Sequence, residues 1–193
     1  MKLRPALEWS EPWSTPTVIL SDLHINGGSR DQIIIERLLW LTDVERDHSQ
    51  DGDHEGIKEG RLPLIKRLVL LGDVFDFQLG FSQIIYRAHY PLFVCLQEVK
   101  RRGVEVIMFT GNHDPDPHPM VMNELEIAVV TAPMVFQVYG ERVRLEHGDL
   151  LEPAWLKRSL CHLVRSPWVR SLARLLPPHF MWNITQRWGA QES

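Results

Sequence analysis

The 193-residue sequence predicts a layered α/β domain, of the α+β kind. Three observations carry that expectation. Short apolar runs rich in branched residues recur along the first 146 positions and read as strands. Segments with helical spacing of apolar residues stand between the early ones. Four of the runs stop abruptly at carboxylate, amide or imidazole side chains, which is how strand ends build a site in an open α/β layer.

The central stretch is Leu68-Val69-Leu70-Leu71, followed at once by Gly72-Asp73-Val74-Phe75-Asp76. Thr17-Val18-Ile19-Leu20 runs into Ser21-Asp22-Leu23-His24 in the same way. Val104 to Thr110 runs into Gly111-Asn112-His113-Asp114, and Arg142 to Glu146 runs into His147-Gly148-Asp149.

Between these strands, 33–44 has apolar residues at 34, 35, 38, 39 and 41, a helical stripe that Ser29 or Asp31 would cap. Segment 46–60 is acidic and glycine-containing, so it reads as a surface loop, with His48 and His54 as solvated side chains. A helix is expected over 84–102, kinked or split at Pro91 and stopped by Gly103 after Arg101 and Arg102. Segment 68–110 is then a βαβ unit with parallel strands. Pro115, Pro117 and Pro119 oppose a helix just beyond Asn112. Strands are expected over 127–131, 134–139 and 142–146, the last two joined by a turn at Tyr139-Gly140-Glu141.

Composition fits a soluble globular chain, with 44% apolar and 24% charged residues. Cys95 and Cys161 match no zinc or redox spacing and read as small buried hydrophobes in a reducing compartment. The first fifteen residues show no signal-peptide pattern, and no apolar run approaches the ~20 residues of a membrane span. A cytoplasmic location is the expectation. The net charge of −4 hides an asymmetry: residues 153–193 carry six basic side chains and one acidic, and the remaining 152 residues carry 15 basic and 24 acidic. The tail is suited to an anionic surface or substrate, the body to cations.

Asp22, His24, Asp73, Asn112 and His147 are oxygen and imidazole donors gathered at strand ends. Such a mixed set suits Mn²⁺, Fe²⁺ or Zn²⁺ better than Ca²⁺ or Mg²⁺. A carboxylate at the middle of the set, Asp73, can bridge two cations about 3.5–4 Å apart, the arrangement that activates water and neutralises phosphoryl charge. If strand geometry continued through 22–24, Asp22 and His24 would point to the same side.

Ser-Asp-Leu-His, Gly-Asp-Val-Phe-Asp, Gly-Asn-His-Asp and His-Gly-Asp, in this order over residues 17–150, resemble the calcineurin-like metallophosphoesterases. That resemblance implies a pair of mixed β-sheets flanked by helices and two divalent ions, with Mn²⁺ favoured. It implies that Asp22, His24 and Asp73 hold one ion, and that Asp73, Asn112 and His147 hold the other. His113 would stand over the leaving oxygen as general acid or charge stabiliser, oriented by Asp114. After residue 152, the Arg- and Leu-rich segment with Arg165-Ser166-Pro167-Trp168 resembles the lid of the UDP-2,3-diacylglucosamine hydrolase branch. On that likeness residues 1–152 are the catalytic core and 153–193 a helical lid. The partners would be a nucleotide-linked lipid substrate, releasing UMP and a lipid monosaccharide phosphate, and the cytoplasmic face of the inner membrane. Arg158, Arg165, Trp168 and Arg170 would be the lid residues that meet substrate or lipid.

In one respect the sequence departs from that family, which closes with a Gly-His-x-His motif and further sheet strands. No histidine follows His179. The expectation is therefore an incomplete core: a truncated enzyme, a site completed by another chain, or a degenerate homologue. Against the hydrolase stands a non-catalytic metal- or membrane-binding module, or a phosphoesterase acting on another ester. No nucleic-acid motif accompanies the basic tail, so no nucleic-acid partner is expected.

Overall fold

A computed structural model describes residues 7–8, 13–42, 65–81, 83–151, 159, 162–163 and 166–189. Two sheets and a layer of helices are arranged around the central strand. The larger sheet is wholly parallel and has the order β2 (Thr17–Leu20), β3 (Arg67–Leu71), β4 (Glu105–Phe109), β5 (Ala128–Val130). The smaller sheet is mixed: β1 (Leu7–Glu8) runs parallel to β6 (Met134–Val138), and β6 runs antiparallel to β7 (Glu141–Leu145). The fold is thus α+β, as the sequence indicates, with the expected parallel βαβ unit across β3 and β4.

Alternation along β3 explains the layering. Leu68 and Leu70 face one way, into a core with Val106, Met108, Leu92, Phe93, Leu96 and Val99. Val69 faces the other way, with Ile107 and Phe109, against Trp13, Phe136 and Leu145 of the second sheet. A sheet buried on both faces needs the near-continuous apolar strands seen here. At the rim, Arg67 pairs with Glu105 at 2.7 Å and its guanidinium lies over the Trp13 ring.

Helix α1 (Ser29–Leu41) begins earlier than the apolar stripe suggests, and neither Ser29 nor Asp31 caps it. Gly28 is the capping residue, and Asp31 instead accepts the backbone N–H groups of Asn26 and Gly27, at 3.0 and 2.6 Å. Helix α2 (Tyr90–Arg101) corrects a second expectation. Pro91 stands in its first turn, where a missing N–H costs nothing, so it starts the helix rather than kinking it. Gly103, at φ +79°, closes the helix by donating to the Lys100 carbonyl. Pro119 acts likewise, opening the short helix α3 (Pro119–Asn123) with His118 Nδ1 accepting from Met120 N–H.

Tyr139 and Gly140 both have positive φ, the two-residue turn that matches the twist of the β6–β7 hairpin. A single 3₁₀ turn spans Asp149–Leu151, and helices α4 (Pro167–Ala173) and α5 (Pro178–Gly189) follow. No described helix is long and apolar enough to cross a membrane. Cys95 is buried and free. The expected loop over 46–60, with His48 and His54, and Cys161 lie outside the described residues.

Candidate metal centre

The segments leaving β2 and β3 stay side by side beyond the sheet. Asp22 N–H donates to the Gly72 carbonyl at 3.2 Å, His24 to that of Asp73 at 3.0 Å, and Ile25 to that of Val74 at 3.0 Å. Strand geometry does not continue here. Asp22, His24 and Asp73 have φ of 55°, 48° and 49°, a left-handed conformation uncommon for any residue but glycine, although Asp and His adopt it more readily than most. Three such residues clustered together mark backbone held against its local preference, as at ligand-binding sites. The twist brings one ligand atom from each of Asp22, His24 and Asp73 within 4.8 Å of the others. Ser21 supports the cluster by donating to Asp22 Oδ2.

Asp73 lies at the centre, buried. Its Oδ1 accepts His113 N–H at 2.9 Å, and its Oδ2 lies 3.1 Å from His147 Nε2. Burial works against its charge, but His147 and His113 outweigh this and hold the carboxyl below its usual range. Burial also disfavours the His147 imidazolium, yet Asp73 and the Leu71 carbonyl, 3.0 Å from Nδ1, push it up to about 9. Two glycines make this approach possible. A Cβ on Gly111 would overlap the Asp73 carboxylate and backbone N, and one on Gly72 would fall 2.5 Å from the His147 ring. Carboxylate and imidazole donors converging within 4.8 Å of one another fit a divalent metal.

His113 faces the same space. Its ring meets His24 edge-on, centroids 4.9 Å apart. Nδ1 lies 2.7 Å from the Asp76 carbonyl, which can only accept, so that nitrogen carries the proton. Nε2 is then the atom left for chemistry. Asp114 does not orient this ring. Fully buried, its carboxylate accepts the N–H groups of Gly111, Val74 and Asp73 at 2.7, 2.8 and 3.1 Å, and that of Phe75 at 3.4 Å, tying the loop after β4 to the loop after β3. Burial, with the nearby Asp73 charge, pushes its carboxyl up to about 6.

No family model matches the chain. Curated proteins do. A UDP-2,3-diacylglucosamine hydrolase of Porphyromonas gingivalis is 28% identical over 177 residues, covering 88% of this chain and 59% of that protein. One of Ralstonia nicotianae is 24% identical over 180 residues, 92% of this chain and 60% of that protein. One of Aeromonas salmonicida is 31% identical over 111 residues, 57% of this chain and 43% of that protein. The chain resembles the UDP-2,3-diacylglucosamine hydrolases. It spans about three fifths of the length of the first two relatives.

The same strand ends also gather Asp76, a carboxylate to which the four motifs assign no role. The Asp76 carboxylate is 3.5 Å from His24 Nδ1 and forms a second candidate ligand group with His24 and His113. The spacing of two carboxylates in Gly72-Asp73-x-x-Asp76 was the signal for it. Asn112 sits half-buried in the bend between Gly111 and His113. Of the proposed lid residues, Trp168 is exposed, whereas Arg170 Nη1 donates to the Pro115 carbonyl at 3.1 Å. Arg158 and Arg165 lie outside the described residues.

Proposed function

We propose that this chain carries the metal site of a phosphoester or pyrophosphate hydrolase, acting on a UDP-2,3-diacylglucosamine-type substrate. The observation that supports it most is the convergence of Asp22, His24 and Asp73 within 4.8 Å, with His147 at 3.1 Å from the same Asp73 carboxylate. In this reading Asp22, His24 and Asp73 hold one divalent ion, while Asp73, Asn112 and His147 hold a second. Mn²⁺ is favoured for this donor set, with Fe²⁺ and Zn²⁺ as alternatives. Bound there, the ions would acidify a water molecule and offset phosphoryl charge.

The protein's own residues do the rest. Asp73 keeps the two halves of the donor set in register, and Asp114 fixes the loops that carry them. His113, with Nδ1 held by the Asp76 carbonyl, presents Nε2 to the leaving oxygen and stabilises or protonates it. Hydrolysis then adds water across the P–O–P link: the water oxygen stays on the attacked phosphorus, and the bridging oxygen departs with the other phosphate. The products would be UMP and a lipid monosaccharide phosphate.

Two features favour a lipid-linked substrate. A groove of about 1060 Å³ opens between the start of α1, the 84–91 segment and α5, with Ile35, Ile84, Ile85, Tyr86 and Trp182 among its walls. Leu163, Trp168, Leu172 and Leu175 are exposed, beside a basic tail suited to anionic head groups. A lid over 153–193, peripheral binding to the inner membrane face and a cytoplasmic location belong to the same reading.

The test is elemental analysis of the purified chain, joined to hydrolysis assays on UDP-2,3-diacylglucosamine and on bis(p-nitrophenyl) phosphate. Bound metal with lipid-nucleotide turnover supports the proposal. Turnover of the small diester alone indicates a phosphoesterase with another substrate. Metal without either activity indicates a non-catalytic module.

A further inference from the structure

The loops after β3 and β4 meet again beyond the metal site, at Asp116. Its backbone forms an isolated parallel bridge with Leu79, and its Oδ2 accepts Gly80 N–H at 3.3 Å. The packing is tight, because a Cβ on Gly80 would fall 2.7 Å from the Pro117 carbonyl. Nearby, Gln78 N–H donates to the His113 carbonyl at 2.9 Å. Asp116 is therefore fixed to the same stretch of backbone that sets His113.

Two guanidinium groups from the C-terminal segment close on it. Arg174 donates to Asp116 Oδ2. Arg170 Nη1 lies 3.5 Å from Oδ1 while donating to the Pro115 carbonyl. Four residues apart, 170 and 174 occupy one side of a helical turn. Trp168, Leu172 and Leu175 emerge on the other side, 86%, 67% and 80% exposed.

An isolated surface ion pair would contribute little to holding a helix. This carboxylate differs, since its side chain is only 14% exposed and takes both arginines together with a backbone N–H. Without them a largely buried charge would keep a single hydrogen bond. The same grip decides which side of α4 faces outward.

The geometry points to Asp116 as a positioning residue for specificity: it clamps α4 beside the His113 loop with the apolar side turned out, so that the site prefers acylated, amphiphilic phosphates over small water-soluble ones. This rests on the hydrolase reading above. With the clamp closed, the acyl chains of the substrate can contact Trp168, Leu172 and Leu175 while its phosphate reaches the metal site. With it open, that apolar contribution to binding is lost and the metal site is left as it was.

The clamp and the chemistry are separable in one experiment on the full chain. Asp116→Asn keeps the shape and an acceptor for Gly80 N–H but removes the charge. Hydrogen exchange of the 166–176 amides should quicken about tenfold or more, with the 67–71 and 105–109 strands unchanged. KM for UDP-2,3-diacylglucosamine should rise about tenfold at near-constant kcat, while turnover of bis(p-nitrophenyl) phosphate stays within about twofold. Arg174→Gln should do the same, Arg174→Lys should recover part of the loss, and the Asp116→Asn/Arg174→Gln double variant should be no worse than either. Unchanged exchange in 166–176 overturns the clamp. Faster exchange with both substrates losing turnover equally overturns the specificity role. If the unmodified chain hydrolyses neither substrate, the hydrolase reading fails and takes the selectivity with it, and exchange still decides whether the clamp exists.

Discussion

Asp73 Oδ2 and His147 Nε2 stand 3.1 Å apart, while the other oxygen of the same carboxylate accepts His113 N–H. One buried side chain thus joins the ends of β3, β4 and β7. In the metal-free protein the pair is an imidazolium against a carboxylate. Its charge state opposes metal binding, because a metal needs the neutral imidazole.

Metal binding should therefore release a proton. His147 is pushed up to about 9, so near pH 7 it must lose its proton before it can ligate. Mn²⁺ affinity is expected to climb about tenfold per pH unit towards pH 9 and then level off. The metal-free protein should behave in the opposite sense. A raised folded pKa gives stability that is full below the unfolded value of about 6.5 and is lost as pH rises through about 9. Titration calorimetry in buffers of different ionisation enthalpy counts the released proton, and a count of zero at pH 7 would contradict the pairing.

Gly111→Ala should harm both stability and metal content. The added Cβ meets the Asp73 carboxylate and its backbone N, and backbone cannot step aside as a side-chain tip can. A loss of about 1–3 kcal/mol is expected from overpacking, read as a lower urea midpoint. A variant as stable as the parent and fully metal-loaded would show that the loop after β4 has room that the structure denies it.

Much of this architecture is legible in the sequence, for reasons that are local. Branched apolar runs name β2, β3 and β4, and the carboxylate, amide and imidazole residues directly after them name the candidate site. What escapes is set by distant neighbours. Asp22 and His24 come together through left-handed backbone held by the Gly72 and Asp73 carbonyls, whereas strand alternation suggests extended chain. Pro91 reads as a break until the start of α2 is known. Asp114 reads as a partner of His113, but its carboxylate is saturated by four backbone N–H groups from two loops. The Asp116–Arg174 contact spans 58 residues of sequence, and no periodicity announces it.

Acid should destabilise the fold through His89. This residue is fully buried among Phe75, Tyr86 and Trp182, with Nδ1 donating to Gln78 Oε1. Burial, with the charge of His118 adding to it, lowers its pKa to about 3. Between about 6.5 and 3 the unfolded chain binds a proton that the folded one refuses, so stability falls as pH falls. The slope from this one group is at most about 1.4 kcal/mol per pH unit. His89→Phe should flatten that part of the urea-midpoint profile, although it leaves Gln78 without its donor. An unchanged slope would assign acid sensitivity elsewhere.

His113→Ala separates ligation from catalysis. In the proposed role at the leaving oxygen, its loss should cost about 10²–10⁴ in turnover with metal content intact. Loss of metal together with activity would instead make His113 a ligand, in the alternative group it forms with His24 and Asp76.

The most direct measurement is elemental analysis of the purified chain beside Asp73→Ala, after equilibration with Mn²⁺ and removal of free ion. Asp73 is the one side chain proposed to touch both ions, so its loss should weaken both by more than the 10–100-fold typical of outer-sphere partners. Two equivalents of metal in the parent and close to none in the variant is the predicted result. Two equivalents retained by Asp73→Ala would contradict a centre bridged by Asp73.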